Sequence, residues 1–285
     1  EQHRHTFQQW FEPLGLQVAM QTGSHHEVDA HPNLLDKGNP LLVVGTHALF
    51  QSRFELDNIG LVVIDEQHKF GVEQRNELLR KGDYPHLLVT TATPIPRTLG
   101  LTLYGDLDIS TIRELPTGRG QVRTHLRTAE RWPKIVDFIN NELDAGKQAY
   151  VVFPRVDNAD DNVKAVTREA EKLAKAFQPH AIGILHGRLK ATEKEAVMDG
   201  FREGRIRVLL ATTVIEVGVD VPNANLMLVE NAEQFGLAQL HQLRGRIGRG
   251  EQDAHFIMIT GVDSPESAER LEVLVNTHDG FEIAE

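Results

Sequence analysis

The sequence predicts an α/β protein with two parallel-sheet domains. Its 285 residues are about twice the length of a typical domain, and short apolar runs alternate with amphipathic stretches along most of the chain. Apolar runs without polar alternation are typical of strands that are buried on both faces, as in parallel sheets. The predicted strands are residues 41–44, 61–64, 87–89, 150–153, 181–185, 208–211, 226–229 and 256–259.

The stretches between these strands have the residue spacing of amphipathic helices. Thr192, followed three residues later by Glu195, forms a capping-box pattern that predicts the start of one helix. The predicted helices are residues 1–10, 74–81, 132–145, 161–177, 193–203, 236–244 and 265–276.

A segment containing Pro and Gly, residues 115–120, interrupts this alternation and predicts a linker. The predicted domains are residues 1–118 and 119–260, followed by the start of a helical extension at residues 261–285. Because the chain opens with Glu rather than Met and is already in a helical pattern, we expect a piece of a longer chain. Its first domain is then incomplete at the N-terminus.

The composition excludes several classes of protein. There is no Cys, which excludes disulfides, thiolate metal sites and cysteine nucleophiles. No apolar stretch reaches the roughly 18 residues of a membrane span and no apolar signal region opens the chain, so we expect a cytoplasmic protein without membrane contact. The net charge of -11 argues against a uniformly basic surface, although a local basic track can occur on an acidic protein.

Two adjacent acids follow the predicted strand at residues 61–64. A carboxylate at the end of a buried strand lies at the carboxyl edge of the sheet, where open α/β folds bind ligands. Asp65 is suited to hold Mg²⁺, which prefers oxygen ligands, and Glu66 is placed to orient or deprotonate an attacking water. A solvated acidic turn explains the same residues, and both interpretations stay open.

Three arginines separated by glycines form the second candidate site. Arg244, Arg246 and Arg249 alternate with small residues, so their guanidinium groups can reach a cluster of anionic oxygens. A basic helix end with a glycine cap explains one Arg and one Gly but not the repeat. Two weaker candidates, residues 91–94 and 211–220, place hydroxyls after predicted strands, and each also fits a plain turn.

In this order, the four segments resemble motifs II, III, V and VI of the superfamily 2 helicases. Residues 65–68, Asp-Glu-Gln-His, are similar to motif II, residues 91–93 to motif III, residues 212–220 to motif V and residues 242–249 to motif VI. Five further segments resemble the branched-DNA translocases of recombination and fork repair: residues 68–75, 93–98, 185–188, 211–224 and 279–281. The motor of the transcription-repair coupling factors is the alternative, but its motif II region is less similar.

The resemblance covers nearly the whole chain and implies two RecA-like domains, ATP and Mg²⁺ as cofactors, and branched or double-stranded DNA as partner. It implies that Asp65 holds Mg²⁺, that Glu66 acts on the attacking water and that Gln242 senses the γ-phosphate. Arg246 and Arg249 are then arginine fingers. The other implied residues contact the nucleotide (Gly218, Asp220), couple the nucleotide and DNA sites (His68, Thr91, Thr93) or contact the DNA backbone (Thr46, His47, Arg188, Thr212, Thr213).

One element of such motors is absent from the sequence. They hold the nucleotide phosphates with a loop of the form Gly-x-x-x-x-Gly-Lys-Ser/Thr, and the 285 residues contain no such loop. We therefore expect that the chain starts after this loop, lacks the wedge domain of the family and hydrolyses little or no ATP by itself. It would then be an inert scaffold or interaction module.

An incomplete first domain has unpaired edges or an exposed apolar face, so we also expect self-association. A third hypothesis is a metal-dependent hydrolase that uses Asp65, Glu66 and some of the 14 histidines. The neighbouring histidine pairs at residues 3 and 5 and at residues 25 and 26 lack the i, i+4 spacing that binds zinc on one helix face.

Overall fold

The computed structural model describes thirteen segments of the chain: residues 2–23, 40–50, 58–66, 77, 79–80, 85–91, 108–112, 114, 118–154, 159–212, 221, 223–261 and 265–284. The chain divides into two compact units, Glu1–Ala92 and Thr93–Glu285. The sequence-based division between residues 118 and 119 lies inside the second unit and stays a prediction. In the described segments, no helix has both the length and the apolar character needed to cross a bilayer.

The first unit contains parallel strands, as the sequence predicts. It begins with helix α1 (Gln2–Phe11), and strand β1 (Gln17–Gln21) pairs in parallel with β2 (Leu41–Gly45). Strand β3 (Leu61–Ile64) pairs in parallel with β4 (His86–Val89). Of the helix predicted at residues 74–81, Glu77, Leu79 and Arg80 are helical, and the rest lies outside the described residues.

The β3–β4 sheet is buried on one face only. Val62 and Ile64 are buried and pack with Phe50, whereas Leu61 and Val63 on the opposite face are 59% and 56% exposed. The prediction that this strand is buried on both faces was wrong. All four residues of β3 are apolar, and this is equally compatible with a strand buried on one face and with a strand buried on both faces. The composition of the strand therefore did not distinguish the two.

The second unit contains a six-stranded sheet with all neighbouring strands parallel, in the order β5-β10-β9-β6-β8-β7. Because parallel strands end at the same edge, the residues that follow them meet there. The strands are β5 (Val122–Thr128), β6 (Gln148–Phe153), β7 (Ile182–Leu185), β8 (Val208–Thr212), β9 (Ala224–Val229) and β10 (Ala254–Thr260). The helices of this unit are α2 (Trp132–Asp144), α3 (Ala159–Ala176), α4 (Ala191–Arg202), α5 (Leu237–Arg244), α6 (Pro265–Asn276) and α7 (Gly280–Ala284).

Two hydrophobic clusters cover the two faces of this sheet. In β8, Val208 and Leu210 pack with α2 and α3, whereas Leu209 and Ala211 pack with α4, α5 and α6. Strand β9 alternates in the same way and is buried along its whole length. The described core of the second unit is larger than that of the first. Each fully buried Leu, Val or Phe in it stabilises the fold by about 1.5–3 kcal/mol.

Helix α4 starts earlier than the capping pattern indicates. Its first residue is Ala191, and the Glu193 carboxylate accepts a hydrogen bond of 2.8 Å from the backbone N–H of Lys190. Thr192 therefore lies inside the helix, and Glu193 has the capping role that the sequence pattern assigned to Glu195. The prediction of the helix was confirmed, but that of its cap was wrong.

Candidate functional site

Asp65 and Glu66 follow β3 at the carboxyl edge of the β3–β4 sheet. Since Ile64 pairs with Val89, the residues directly after the two strands, Asp65 and Thr90, lie beside each other. The Thr90 hydroxyl donates a hydrogen bond of 2.7 Å to Oδ1 of Asp65, and the backbone N–H of Glu66 donates one of 3.0 Å to the same oxygen. The carboxylate is therefore held by one of its two oxygens.

The backbone turns sharply at Glu66. Its φ of 53° lies in the left-handed region, which few residues other than Gly adopt and which costs about 1–2 kcal/mol. Residues held in such conformations cluster at functional sites. Because this turn comes directly after β3, the Glu66 side chain leaves the backbone in a different direction from the one it would have if the strand continued.

The donor set at this edge fits Mg²⁺. It consists of carboxylate and hydroxyl oxygens, which are hard ligands. In the described segments, no group of three or more His, Asp or Glu residues could enclose a metal. Proteins usually bind Mg²⁺ through one or two carboxylates, and water and substrate phosphates complete its coordination shell.

Thr90 is the contact that sequence reasoning missed. The sequence pattern indicated Thr91 and Thr93, but Thr90 is the residue bonded to Asp65. Its position directly after a predicted strand marks Thr90 as a candidate site residue. Only the register of β3 against β4, however, shows that it lies beside Asp65. Thr91 is described and exposed.

The segment after α5 is fixed to the second unit by its neighbours. Ile247 is fully buried, and Arg119 donates hydrogen bonds to the carbonyls of Gly248 and Ile247 at 2.6 and 3.3 Å. Gly248 has a φ of 65°, and a Cβ there would lie 2.8 Å from Cγ2 of Val122. The backbone around Arg246 and Arg249 is therefore held in place, while Arg246 is half-buried and Arg249 exposed.

Arg244 differs from the other two arginines, and the prediction of three anion-facing guanidinium groups was wrong for it. Arg244 is 4% exposed, and Nη1 donates hydrogen bonds to the carbonyls of Leu274 and Thr277 at 2.7 and 3.0 Å. Burial lowers the pKa of this guanidinium to about 10. Arg244 therefore connects α5 to the C-terminal end of α6, where a positive charge is favoured.

His241 completes this buried cluster. Its Nδ1 lies 3.1 Å from Nη2 of Arg244, and because a guanidinium only donates, Nδ1 must accept. Burial, then the charges of Arg244 and His278, lower the pKa of His241. The imidazole is therefore neutral at pH 7, with its proton on Nε2. Gln242, one residue further along α5, is half-buried.

The candidate DNA contacts lie at strand ends. Leu185 of β7 pairs with Ala211 of β8, which brings Thr212 and the segment containing Arg188 to neighbouring positions at one edge. Arg188 is exposed, whereas Thr212 is only 4% exposed. In the first unit, Thr46 and His47 follow β2 and are both exposed.

Five predicted site residues lie outside the described residues: His68, Thr93, Thr213, Gly218 and Asp220. Glu230 was not predicted, although it directly follows β9 at the carboxyl edge of the six-stranded sheet. Burial, then the charge of Glu169, raise the pKa of Glu230 to about 7. A carboxyl group that titrates near neutral pH therefore lies at this edge.

Two family models match the chain. The DEAD/DEAH box helicase model matches residues 1–101, and the helicase conserved C-terminal domain model matches residues 130–251. Together they cover parts of both units.

Curated relatives match over the whole chain. The "ATP-dependent DNA helicase RecG" of Synechocystis sp. is 48% identical and matches 100% of this chain, which covers 35% of that protein. Those of Thermotoga maritima and Escherichia coli K12 are each 45% identical, and this chain covers 37% and 42% of them. The chain thus spans well under half the length of these relatives.

Solved structures give the same assignment. "Structure of RecG bound to three-way DNA junction" matches with a TM-score of 0.80 and 42% identity, over 99% of this chain and 37% of that one. Yeast Dbp5 bound to RNA and ADP BeF3 matches 100% of this chain and 73% of its own with a TM-score of 0.66, and at 19% identity it supports the fold alone. The chain, with the acid pair after β3 and the Gly-Arg segment after α5, is therefore similar along its whole length to a part of the ATP-dependent DNA helicases RecG.

Proposed function

We propose that these residues form the motor region of an ATP-dependent DNA helicase that acts on branched DNA in recombination and replication-fork repair. The observation that carries the proposal is the 45–48% identity over the full chain to ATP-dependent DNA helicases RecG. The relatives are DNA helicases of bacteria, so we place the activity in the cytoplasm.

For ATP hydrolysis, we assign Asp65 to Mg²⁺ and Glu66 to the attacking water. When bound, Mg²⁺ neutralises charge on the phosphates of the nucleotide. Thr90 holds the Asp65 carboxylate through Oδ1, which leaves its second oxygen to face the cation. Arg246 and Arg249 stabilise the charge that develops on the transferred phosphoryl group, with Gln242, Gly218 and Asp220 as further nucleotide contacts.

For DNA, we assign backbone contacts to Thr46, His47, Arg188, Thr212 and Thr213. Arg188, Thr46 and His47 are exposed, which favours direct contact with the DNA backbone. Thr212 is buried, so we propose that it acts indirectly, by positioning the residues at the end of a neighbouring strand. His68, Thr91 and Thr93 are the proposed coupling residues between the nucleotide and DNA sites.

Measuring ATP hydrolysis with different DNA substrates tests this function. We expect the gene product that carries these residues to hydrolyse ATP faster with a three-way junction than with linear duplex of the same length. A gene product whose rate does not respond to DNA contradicts the proposal.

The 285 residues alone contain no phosphate loop, so we propose that this chain by itself is an inert interaction module. Vigorous ATP hydrolysis by the chain alone contradicts this second proposal, because its sequence contains no loop of the form that cradles the β- and γ-phosphates.

Thr90→Val tests the role of the hydroxyl that holds Asp65. Val keeps the shape but cannot donate, and removing a partner of a metal ligand typically weakens metal binding by about 10- to 100-fold. We expect the Mg²⁺ concentration for half-maximal ATPase to rise, and Mn²⁺ binding measured by electron paramagnetic resonance in the presence of ATP to weaken. Thr111→Val, at an exposed position with no assigned role, is the matched control, and equal effects of the two substitutions contradict a specific role for Thr90.

We also propose that the chain self-associates through the exposed face of the β3–β4 sheet, which presents Leu61, Val63 and Leu88. Contiguous exposed apolar side chains favour association. Replacing all three by Thr preserves strand propensity and should shift sedimentation velocity profiles towards the monomer. Leu14→Thr with Ile112→Thr, which also removes exposed apolar side chains, should have less effect. A wild-type chain that is already monomeric contradicts the proposal.

A further inference from the structure

A groove lies at one edge of the six-stranded sheet, and none of the candidate nucleotide or DNA residues named above lines it. Its volume is about 630 Å³, and it is bounded by β5, β10 and helix α2. Cavities of about 300–1,000 Å³ hold small organic ligands. Basic and aromatic side chains dominate its lining: His125, Arg127, Arg131, Lys134, Phe138 and His255.

The rim of the groove is positively charged. Arg127, Arg131 and Lys134 are exposed, and the lining contains no carboxylate. Within the described part of the chain, Arg131 and Lys134 form no ion pair, and Arg127 donates to the carbonyl of Leu126 at 2.8 Å rather than to an acid. In a chain with a net charge of -11, three uncompensated cations around one cavity indicate an anionic ligand.

The floor of the groove is made of rings and apolar side chains. The Phe138 ring meets His255 edge to face at 4.9 Å. His255 and His125 lie edge to edge with 12° between their ring planes and 5.5 Å between their centroids, and Nδ1 of His255 lies 3.2 Å from Nε2 of His125. Burial is the main cause of the lowered pKa of both histidines, so both rings are neutral at pH 7. Ile135 and Ile257 close the floor and are buried.

We propose that this groove binds a single strand of DNA, with its phosphates on Arg127, Arg131 and Lys134 and its bases over the rings of His125 and Phe138. Single-strand sites combine a basic track with aromatic side chains that stack on bases. In a duplex the bases stack on each other, so their faces are not available to these rings. The charged rim and the ring-lined floor together fit one or two nucleotides.

The groove is distinct from the DNA contacts proposed above. It adjoins β5, whereas Arg188 follows β7 at the other edge of the sheet and Thr212 is the last residue of the neighbouring strand β8. Five strand spacings separate β5 from β7, which is about 24 Å at about 4.8 Å each. A strand in the groove is therefore a second point of attachment on the same unit.

Salt-dependent binding of a fluorescent oligothymidylate of about 12 nucleotides to the 285-residue chain, without ATP, tests the proposal by anisotropy. Each phosphate contact contributes about 0.7 to the slope of log affinity against log salt. For a variant with Arg127→Gln, Arg131→Gln and Lys134→Gln, we expect the slope to fall by about 2. Between about 50 and 200 mM salt, the wild type then loses about 20-fold more affinity than the variant.

Two further variants separate this site from general charge effects. Arg168→Gln, Lys172→Gln and Lys175→Gln on α3 remove the same charge and should leave the slope nearly unchanged. Phe138→Leu keeps the charge but removes a ring, and should weaken binding by at least about fivefold. Thermal melting checks that each variant is folded.

The proposal is overturned if the groove variant keeps the wild-type slope or if the α3 variant loses as much. It is also overturned if the groove variant loses as much affinity for a duplex of the same length, measured in the same way, as for the single strand. Because the assay contains no ATP, a failure of the proposed motor function leaves this result unaffected. A failure here likewise leaves junction-stimulated hydrolysis unaffected.

Discussion

We expect Arg246→Gln to lower the ATPase rate of the gene product that carries these residues by about a thousandfold or more, with little change in thermal stability. Arginine fingers contribute about 10³–10⁵ to phosphoryl transfer, and glutamine cannot supply the charge. Arg246 is half-buried and donates no side-chain hydrogen bond within the described residues, so its loss should change the free energy of unfolding by about 0.5 kcal/mol or less.

Steady-state ATP hydrolysis with a three-way junction measures this effect, and Arg249→Gln should behave similarly in the same assay. Arg168→Gln, on an exposed position of α3, is the matched control and should retain the wild-type rate. An Arg246→Gln protein that hydrolyses ATP at the wild-type rate contradicts the assignment.

For Arg244→Met we expect the opposite of Arg246→Gln, namely a large loss of thermal stability. It leaves the carbonyls of Leu274 and Thr277, which now accept from the guanidinium, without a donor in a buried site. Leaving buried polar groups unsatisfied costs about 1–3 kcal/mol each, so we expect about 3 kcal/mol in total. For a unit of this size, that lowers the midpoint of thermal unfolding by about 6–12 °C.

Differential scanning calorimetry of the 285-residue chain measures this loss. Arg246→Met, with the same change of side chain two residues away, is the matched control and should melt close to the wild type. Equal melting of the two variants would show that the buried hydrogen bonds of Arg244 contribute little.

The apolar runs were a reliable guide to the interior of the fold. Strands β6, β8, β9 and β10 are buried on both faces, so their sequences are mostly apolar, and the sequence predicted their ends to within two residues. Strand β5 was missed. It lies at the edge of the sheet and alternates basic with uncharged residues, so it has no apolar run, and the groove beside it was missed for the same reason.

The candidate site was predictable as residue types but not as contacts. The position of Asp65 after an apolar strand follows from the sequence, whereas its bond to Thr90 depends on the register of β3 against β4. Similarly, Arg244 and Arg246 each lie between a glycine and an aliphatic residue in the sequence. Only the packing of α5 against the end of α6 makes Arg244 buried and leaves Arg246 more accessible.

The central claim is that Asp65 and Arg246 serve the same chemical step. Junction-stimulated ATP hydrolysis by Asp65→Asn, Arg246→Gln and the double variant tests it most directly, since residues that act as a unit have strongly non-additive effects. We predict that each single variant loses about a thousandfold and that the double variant stays within about tenfold of the slower single one. A single variant with the wild-type rate, or a double variant whose loss is the product of the two, would contradict the account.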